Sequence, residues 1–338
     1  MQKPKDRPLV AVTMGDPAGV GPEIVAKALA NPEGYKLVRP LVVGDQWVLE
    51  QAQRWCGLTS EIRSISHPAD GRYVHNIVDL LDVGSAEVGS IRVGRVQAAA
   101  GKAAFDYLRR AIDLALAGEV EAIATAPINK EALRAAGVPF IDHTEALAGL
   151  TQSAHPLTIF LVRNLRIFFL TRHVSLAQAC RQITRERVLS GLVEVDAALE
   201  RFGLAHARIA VAALNPHAGE GGIFGDEEMI EVEPAVRDAR DMGIDAHGPI
   251  PADAVFHLAL TGQFDAVLSL YHDQGHIAAK TLDFERTVAI TAGLPFMRSS
   301  VDHGTAFDIA GRGIASAISM EEAIRAAGEY AKLVRKRG

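Results

Sequence analysis

Three histidines, His173, His217 and His272, share one placement. Each lies within three residues of the carboxyl end of an apolar run, at residues 165–170, 208–214 and 264–270. Apolar runs of that length read as buried parallel strands. The histidines are 44 and 55 residues apart, far too long for a local zinc finger and about right for one or two βα units. Side-by-side parallel strands would bring their following loops to one edge, where ligands of open α/β sheets bind. Three imidazoles there, with an open fourth position, make a divalent metal site suited to catalysis. His67, His75, His155, His206, His247 and His257 follow no such rule and read as surface or hydrogen-bonded residues.

Other residues suit an anionic, hydroxylated ligand. His143 and Thr144 can donate to a phosphate or carboxylate, and Lys280 falls eight residues past His272. Arg298 stands in a Gly-Leu-Pro-Phe-Met-Arg-Ser-Ser segment read as a loop, and Asp253 in a Pro-rich loop. Together they are expected to form an anion pocket. Residues 300–313 carry three glycines with no strand or helix period, so bare N–H groups can approach a ligand there. Gly15 to Gly21 follows a strand and precedes Pro22 and a helix; it reads as a tight βα turn or an anion loop, its spacing matching neither common phosphate motif.

These residues need a scaffold. Strands are expected at 8–14, 37–43, 76–83, 120–124, 157–162, 165–170, 208–214 and 264–270. Helices are expected at 23–29, from Asp45, over 98–117, from Ala146, from Ser175, at 185–201 and from Asp226. That alternation predicts an α/β protein whose mostly parallel sheet is covered by helices on both faces. No repeat, low-complexity tract or linker interrupts it.

Composition removes several classes of function. The formal charge is −6, with no basic block, and aromatics are 6%, so nucleic acid is not an expected partner. The first eight residues lack the apolar core of a signal peptide, and the most apolar window, 157–170, is broken by Arg163, Asn164 and Arg166. Cys56 and Cys180 are the only cysteines, too few for a disulfide framework. A cytoplasmic protein with no membrane segment is expected.

The motifs carry a family resemblance along nearly the whole chain. Met14-Gly-Asp-Pro-Ala-Gly-Val-Gly-Pro-Glu-Ile24, Thr125-Ala-Pro-Ile-Asn-Lys130, His143-Thr-Glu145, Asn215-Pro-His-Ala-Gly-Glu220, Tyr271-His-Asp-Gln-Gly275 and Gly311-Arg-Gly313 appear in one order. The sequence resembles the 4-hydroxythreonine-4-phosphate dehydrogenases. The resemblance implies an isocitrate/isopropylmalate dehydrogenase-like fold of two α/β lobes with a cleft between them, expected over 1–140 plus 290–338 and over 141–289. It implies a homodimer with shared active sites, and one divalent ion (zinc, magnesium, cobalt or manganese) on His173, His217 and His272, with His173 reaching across from the partner. Substrate contacts fall on His143, Thr144, Lys280 and Arg298, and on Asp253 from the neighbouring chain. The implied reaction oxidises a secondary alcohol of a small phosphorylated hydroxy acid with a nicotinamide cofactor, after which the β-keto acid loses carbon dioxide.

The segment His303-Gly304-Thr305-Ala306-Phe307-Asp308-Ile309-Ala310-Gly311 also resembles the nucleotide loop of isopropylmalate dehydrogenases. An acid at Asp308 there favours NAD over NADP, although Arg312 offers a 2′-phosphate a counter-charge. Two positions depart from the family. Ala289 stands where Asn is usual, and Asp142 replaces Gly before the His-Thr pair. His276-Ile277 resembles the branch acting on 4-phosphorylated threonate or erythronate, and a further branch oxidises carboxylated aromatic dihydrodiols. The vitamin B6 precursor 4-hydroxythreonine 4-phosphate is the first expectation. Outside the dehydrogenases, a trihistidine metal hydrolase or a non-catalytic metabolite-binding protein would use the same histidines.

Overall fold

Alternating apolar runs and amphipathic helices produce two α/β units in the computed structural model, which describes residues 7–154 and 156–335. His155 and the first six residues lie outside the described part. The first unit opens with β1 (Leu9–Thr13), α1 (Gly21–Ala30), α2 (Pro32–Leu37), β2 (Arg39–Gly44), α3 (Gln46–Cys56), β3 (Glu61–Ile65) and β4 (Ile77–Asp82). It continues through α4 (Ala98–Leu116), β5 (Ala122–Thr125), α5 (Lys130–Ala135) and α6 (His143–Thr151). The second unit spans Leu157–Thr287. It holds β6 (Leu157–Val162), β7 (Leu165–Phe169), α7 (Leu176–Arg181), α8 (Arg185–Arg201), β8 (Ile209–Ala212) and α9 (Glu233–Asp241), then β9 (Ala246–Ile250), α10 (Ala252–Leu260), β10 (Ala266–Ser269) and α11 (His272–Leu282). The chain then returns to the first unit with β11 (Val288–Ala292), β12 (Met297–Val301) and α12 (Ile318–Arg335).

In the first unit the strands run in the order β3-β4-β2-β1-β5-β12-β11, parallel except for β11, which pairs antiparallel with β12. In the second the order is β6-β7-β10-β8-β9, and only the β6–β7 hairpin is antiparallel. Both faces of such strands are covered, so β1, β5, β8 and β10 are buried along their whole length. The long helix α4 buries Tyr107, Leu108, Ile112 and Leu114.

Several expectations need correction. The units divide at 156/157 and 287/288 rather than near 140 and 289, because α6 stays against α4 of the first unit. Helix α6 starts at His143, three residues earlier than expected, since Asp142 caps it by accepting from the Glu145 N–H at 3.0 Å. Arg298 lies within strand β12, not in a loop, and Asp253 lies in the first turn of α10. The Gly15–Gly21 segment is a tight turn, entirely buried. A Cβ on Gly15 would strike the Pro127 carbonyl oxygen, and one on Gly21 that of Met14, so the protein itself fills the space an anion would need.

Candidate active site

In the first unit, strand register builds a receptor around Arg298. The β11–β12 pairing sets Thr291 opposite Arg298, and the parallel β12–β5 pairing sets Ser300 beside Thr125. The guanidinium donates from one terminal nitrogen to Thr291 Oγ1 at 3.1 Å and from the other to Thr125 Oγ1 at 2.7 Å. Only 5% of Arg298 is exposed, and its Nε has no hydrogen-bond partner. Burial lowers its pKa to about 10, against a smaller opposing pull from Asp142. The Nε2 of His143 is likewise enclosed without a partner. Burial, and then the charge of Arg298, push the His143 imidazole well below its ordinary pKa. A buried cation and a neighbouring ring nitrogen, each with hydrogen-bonding capacity unmet, form an unsatisfied anion receptor at the start of α6. Thr144 occupies the next position of that helix.

Asp142, an acid beside this receptor, has a structural explanation. Besides capping α6, it accepts from Lys130 Nζ at 3.2 Å. Burial works to raise its pKa, but the Glu145 N–H and Lys130 outweigh that and hold it below the usual carboxylate range.

The segment after β12 is pinned to α1 by residues that motif spacing did not single out. Val20 N–H donates to Thr305 O at 2.9 Å, and Gly311 N–H donates to the Glu23 carboxylate, which is fully buried. Lys27 Nζ donates to Gly313 O at 2.6 Å and Ala315 O at 2.7 Å. Ala306 adopts a left-handed φ of 41°, His303 Nδ1 lies 3.0 Å from Gly304 O, and Asp308 is exposed. Asp16, also wholly buried, accepts from Ala18 N–H at 2.8 Å, while its Oδ2 has no partner; burial raises its pKa to about 6. The available signal was an acid and a lysine one turn apart on a helix following a glycine turn.

In the second unit β10 lies between β7 and β8, so the three strands leading to the histidines are neighbours, as their placement predicts. Gln274 ties two of the strand ends together, donating to Ala213 O at 2.7 Å and accepting from Leu270 N–H at 2.8 Å. The ring centres of His173 and His272 stand 5.8 Å apart. Two imidazoles bound to one ion at about 2.0–2.1 Å per nitrogen have ring centres roughly 5–6 Å apart, so this pair suits a shared metal. His272 Nδ1 is 2.7 Å from Asp273 Oδ1, which leaves Nε2 for a ligand.

His217 is not brought to this pair. It stands in the turn Pro216–Gly222, where residues 217 to 221 all have positive φ, and its ring is 6.3 Å from that of Phe224. Asn215 anchors the turn, donating to Glu227 at 2.7 Å and to the buried Glu228 at 2.9 Å. Among the described residues no group of three or more His, Cys, Asp or Glu side chains stands close enough to hold a metal ion.

The ring that does join His272 is His276, stacked on it at 3.6 Å and 16° and resting on Phe160 at 4.1 Å. Burial lowers the pKa of His276 to about 4, helped by His272 and Lys280. His272, His276 and Lys280 follow one another at four-residue spacing along α11, which puts them on one helix face. Lys280 Nζ lies 5.2 Å from the Phe284 ring centre. Asp253 lines a cavity of about 680 Å³ between α10 and α11, shared with Tyr271, Asp273 and Ile277.

Residues 36–327 match the family model described as pyridoxal phosphate biosynthetic protein PdxA. A Symbiobacterium thermophilum protein named "Putative D-threonate 4-phosphate dehydrogenase" is 60% identical over 98% of both chains. The crystal structure of 4-hydroxythreonine-4-phosphate dehydrogenase from Klebsiella pneumoniae superposes with a TM-score of 0.89 at 44% identity, covering 96% of this chain and 98% of that one. A terephthalate 1,2-cis-dihydrodiol dehydrogenase from Burkholderia xenovorans is more distant, at TM-score 0.63 and 32% identity over 95% and 98% of the two chains.

Proposed function

This chain belongs to the PdxA family of pyridoxal phosphate biosynthetic proteins, and on that premise we propose that it is an NAD- and metal-dependent dehydrogenase of D-threonate 4-phosphate. The observation that carries the reading is the receptor at Arg298 and His143, two buried donors with no protein acceptor for Nε and Nε2. A phosphate or carboxylate supplies the missing acceptors and neutralises a charge that burial disfavours. The choice of threonate over hydroxythreonine rests on the 60% identical relative, against 44% for the hydroxythreonine enzyme. Ala289 supports it too: on buried β11 it offers no side-chain amide to a substrate.

Oxidation takes a hydride from C3, the carbinol β to the carboxylate, and its hydroxyl proton leaves to a base; a bound nicotinamide would supply the two-electron acceptor for that hydride. The resulting β-keto acid loses its carboxylate as carbon dioxide. Protonation of the enolate at C2 then gives a three-carbon ketone phosphate. Arg298, His143 and Thr144 hold the substrate's anionic group. Lys280, on the His272 face of α11, adds a cation that steadies negative charge as the carboxylate departs. The segment from His303 to Gly311, held in shape by Glu23 and Lys27, would receive the dinucleotide, and Asp308 would accept from its ribose hydroxyls. A divalent ion would be held by His173 and His272, the pair whose ring centres stand 5.8 Å apart, and would supply positive charge that lowers the carbinol pKa.

The test is a substrate panel followed by reduced-cofactor absorbance. D-threonate 4-phosphate should give the highest kcat/KM, ahead of D-erythronate 4-phosphate, 4-hydroxythreonine 4-phosphate and a carboxylated cis-dihydrodiol. A higher value for 4-hydroxythreonine 4-phosphate would restore the vitamin B6 substrate.

A further inference from the structure

The amino ends of the first unit's strands carry a second cluster of charge, away from every residue assigned above. Arg7 precedes β1, Arg39 opens β2 and Glu121 precedes β5; Leu9 and Arg39 are register partners. The catalytic motifs follow the other end of these strands, and β1 alone separates the ends by about 13 Å. A cavity of about 520 Å³ lies here, lined among others by Arg7, Arg39, Arg72, His67, Tyr73 and Glu119.

The charges in this cavity are incompletely matched. Arg39 is 3.9 Å from Glu121, a long contact, while its guanidinium carbon lies 5.7 Å from the Tyr73 ring centre. Glu119 is occupied by His67 at 3.3 Å. The Arg7 guanidinium donates to the Tyr35 carbonyl, and neither Arg7 nor Arg72 has a carboxylate partner among the described residues. Burial and the neighbouring charge of Arg39 lower the Arg7 pKa. Arg7 beside Arg39, and Arg72 on the same cavity wall, are cations that an incoming anion stabilises.

We propose that this cavity is a second ligand site, taking a small hydroxylated phosphate monoester, with Arg7 and Arg72 on the phosphate and Arg39 and Tyr73 bounding its body. Guanidinium geometry suits phosphate oxygens, the volume exceeds what bare phosphate needs, and the Glu119 carboxylate offers acceptor capacity to hydroxyl groups. The site is separate from the Arg298 receptor and stands or falls independently of the proposed reaction.

Glycerol 3-phosphate is the probe, titrated calorimetrically into the full chain, into Arg72→Met and Arg7→Met, and into Arg298→Met. Binding that survives in Arg298→Met and weakens roughly tenfold in both Arg72→Met and Arg7→Met is the expected result, each variant removing one charged hydrogen-bond donor. Arg72 is exposed, so its variant decides the matter if Arg7→Met fails to fold. An isotherm unchanged in Arg72→Met, or no binding left in a folded Arg298→Met, would overturn the second site.

Discussion

Replacing Arg298 by Met should separate binding from stability. With its pKa lowered by burial to about 10, Arg298 costs the folded state about 3 kcal/mol at neutral pH. The sign follows from proton uptake. A base whose folded pKa is depressed binds fewer protons when folded, so the penalty is full well below pH 10 and fades as the pH rises above about 10. Met removes that penalty and also the bonds to Thr291 and Thr125, worth roughly 2–3 kcal/mol together. Thr125 keeps its contact to Ser299 O at 3.3 Å. The two effects nearly cancel, so urea unfolding should place Arg298→Met within about 1 kcal/mol of the wild type. Substrate recognition has no such compensation. Removing one charged partner of a desolvated anion costs about 2–5 kcal/mol, or roughly 30- to several-thousand-fold in kcat/KM. Initial rates and urea midpoints on the same preparations supply both numbers. A variant destabilised by several kcal/mol with an unchanged KM would refute the reasoning, making Arg298 a structural residue.

Other expectations follow from the same geometry. His272→Ala should lose bound divalent metal, measured by elemental analysis, while circular dichroism stays unchanged; equal metal content would reject the assignment. Lys27→Met should raise the KM for NAD at least several-fold with kcat nearly retained, and Lys27→Arg should recover part of it; equal loss of kcat and no rescue would make Lys27 merely structural. Asp308→Lys should shrink or invert the preference for NAD over NADP, and an unmoved ratio would remove Asp308 from cofactor recognition. Asp16, with its pKa raised by burial to about 6, should destabilise the fold progressively as pH rises from about 4 to 6, because the folded state holds its proton longer. Asp16→Asn should flatten that decline in pH-dependent unfolding, and a decline equal to wild type would assign it elsewhere.

The strands leading to the histidines were legible because uninterrupted apolar runs have one good destination, a sheet covered on both faces. Strand β12 was not, since Arg298, Ser299 and Ser300 break the apolar pattern. They are tolerated because specific partners satisfy them, such as Ala323 O for Ser299 Oγ at 2.6 Å. Asp142 departs from the family's usual Gly, and its reason, the capping bond to the Glu145 N–H, depends on α6 starting at His143. The strand-end rule predicted adjacency of three histidines and brought two together. Where the third ring goes depends on left-handed backbone from His217 to Gly221, which apolar periodicity does not encode. His276 entered the sequence reading only as part of a motif, because helical stacking on His272 becomes evident once α11 is known to start at residue 272.

The central claim is an oxidative decarboxylation of D-threonate 4-phosphate, and product stoichiometry tests it most directly. Metal-replete enzyme with NAD should form reduced cofactor, carbon dioxide and a three-carbon ketone phosphate in equal amounts. Phosphate release without cofactor reduction would instead mark a hydrolase, and binding without any product a metabolite-binding protein; either would contradict the account.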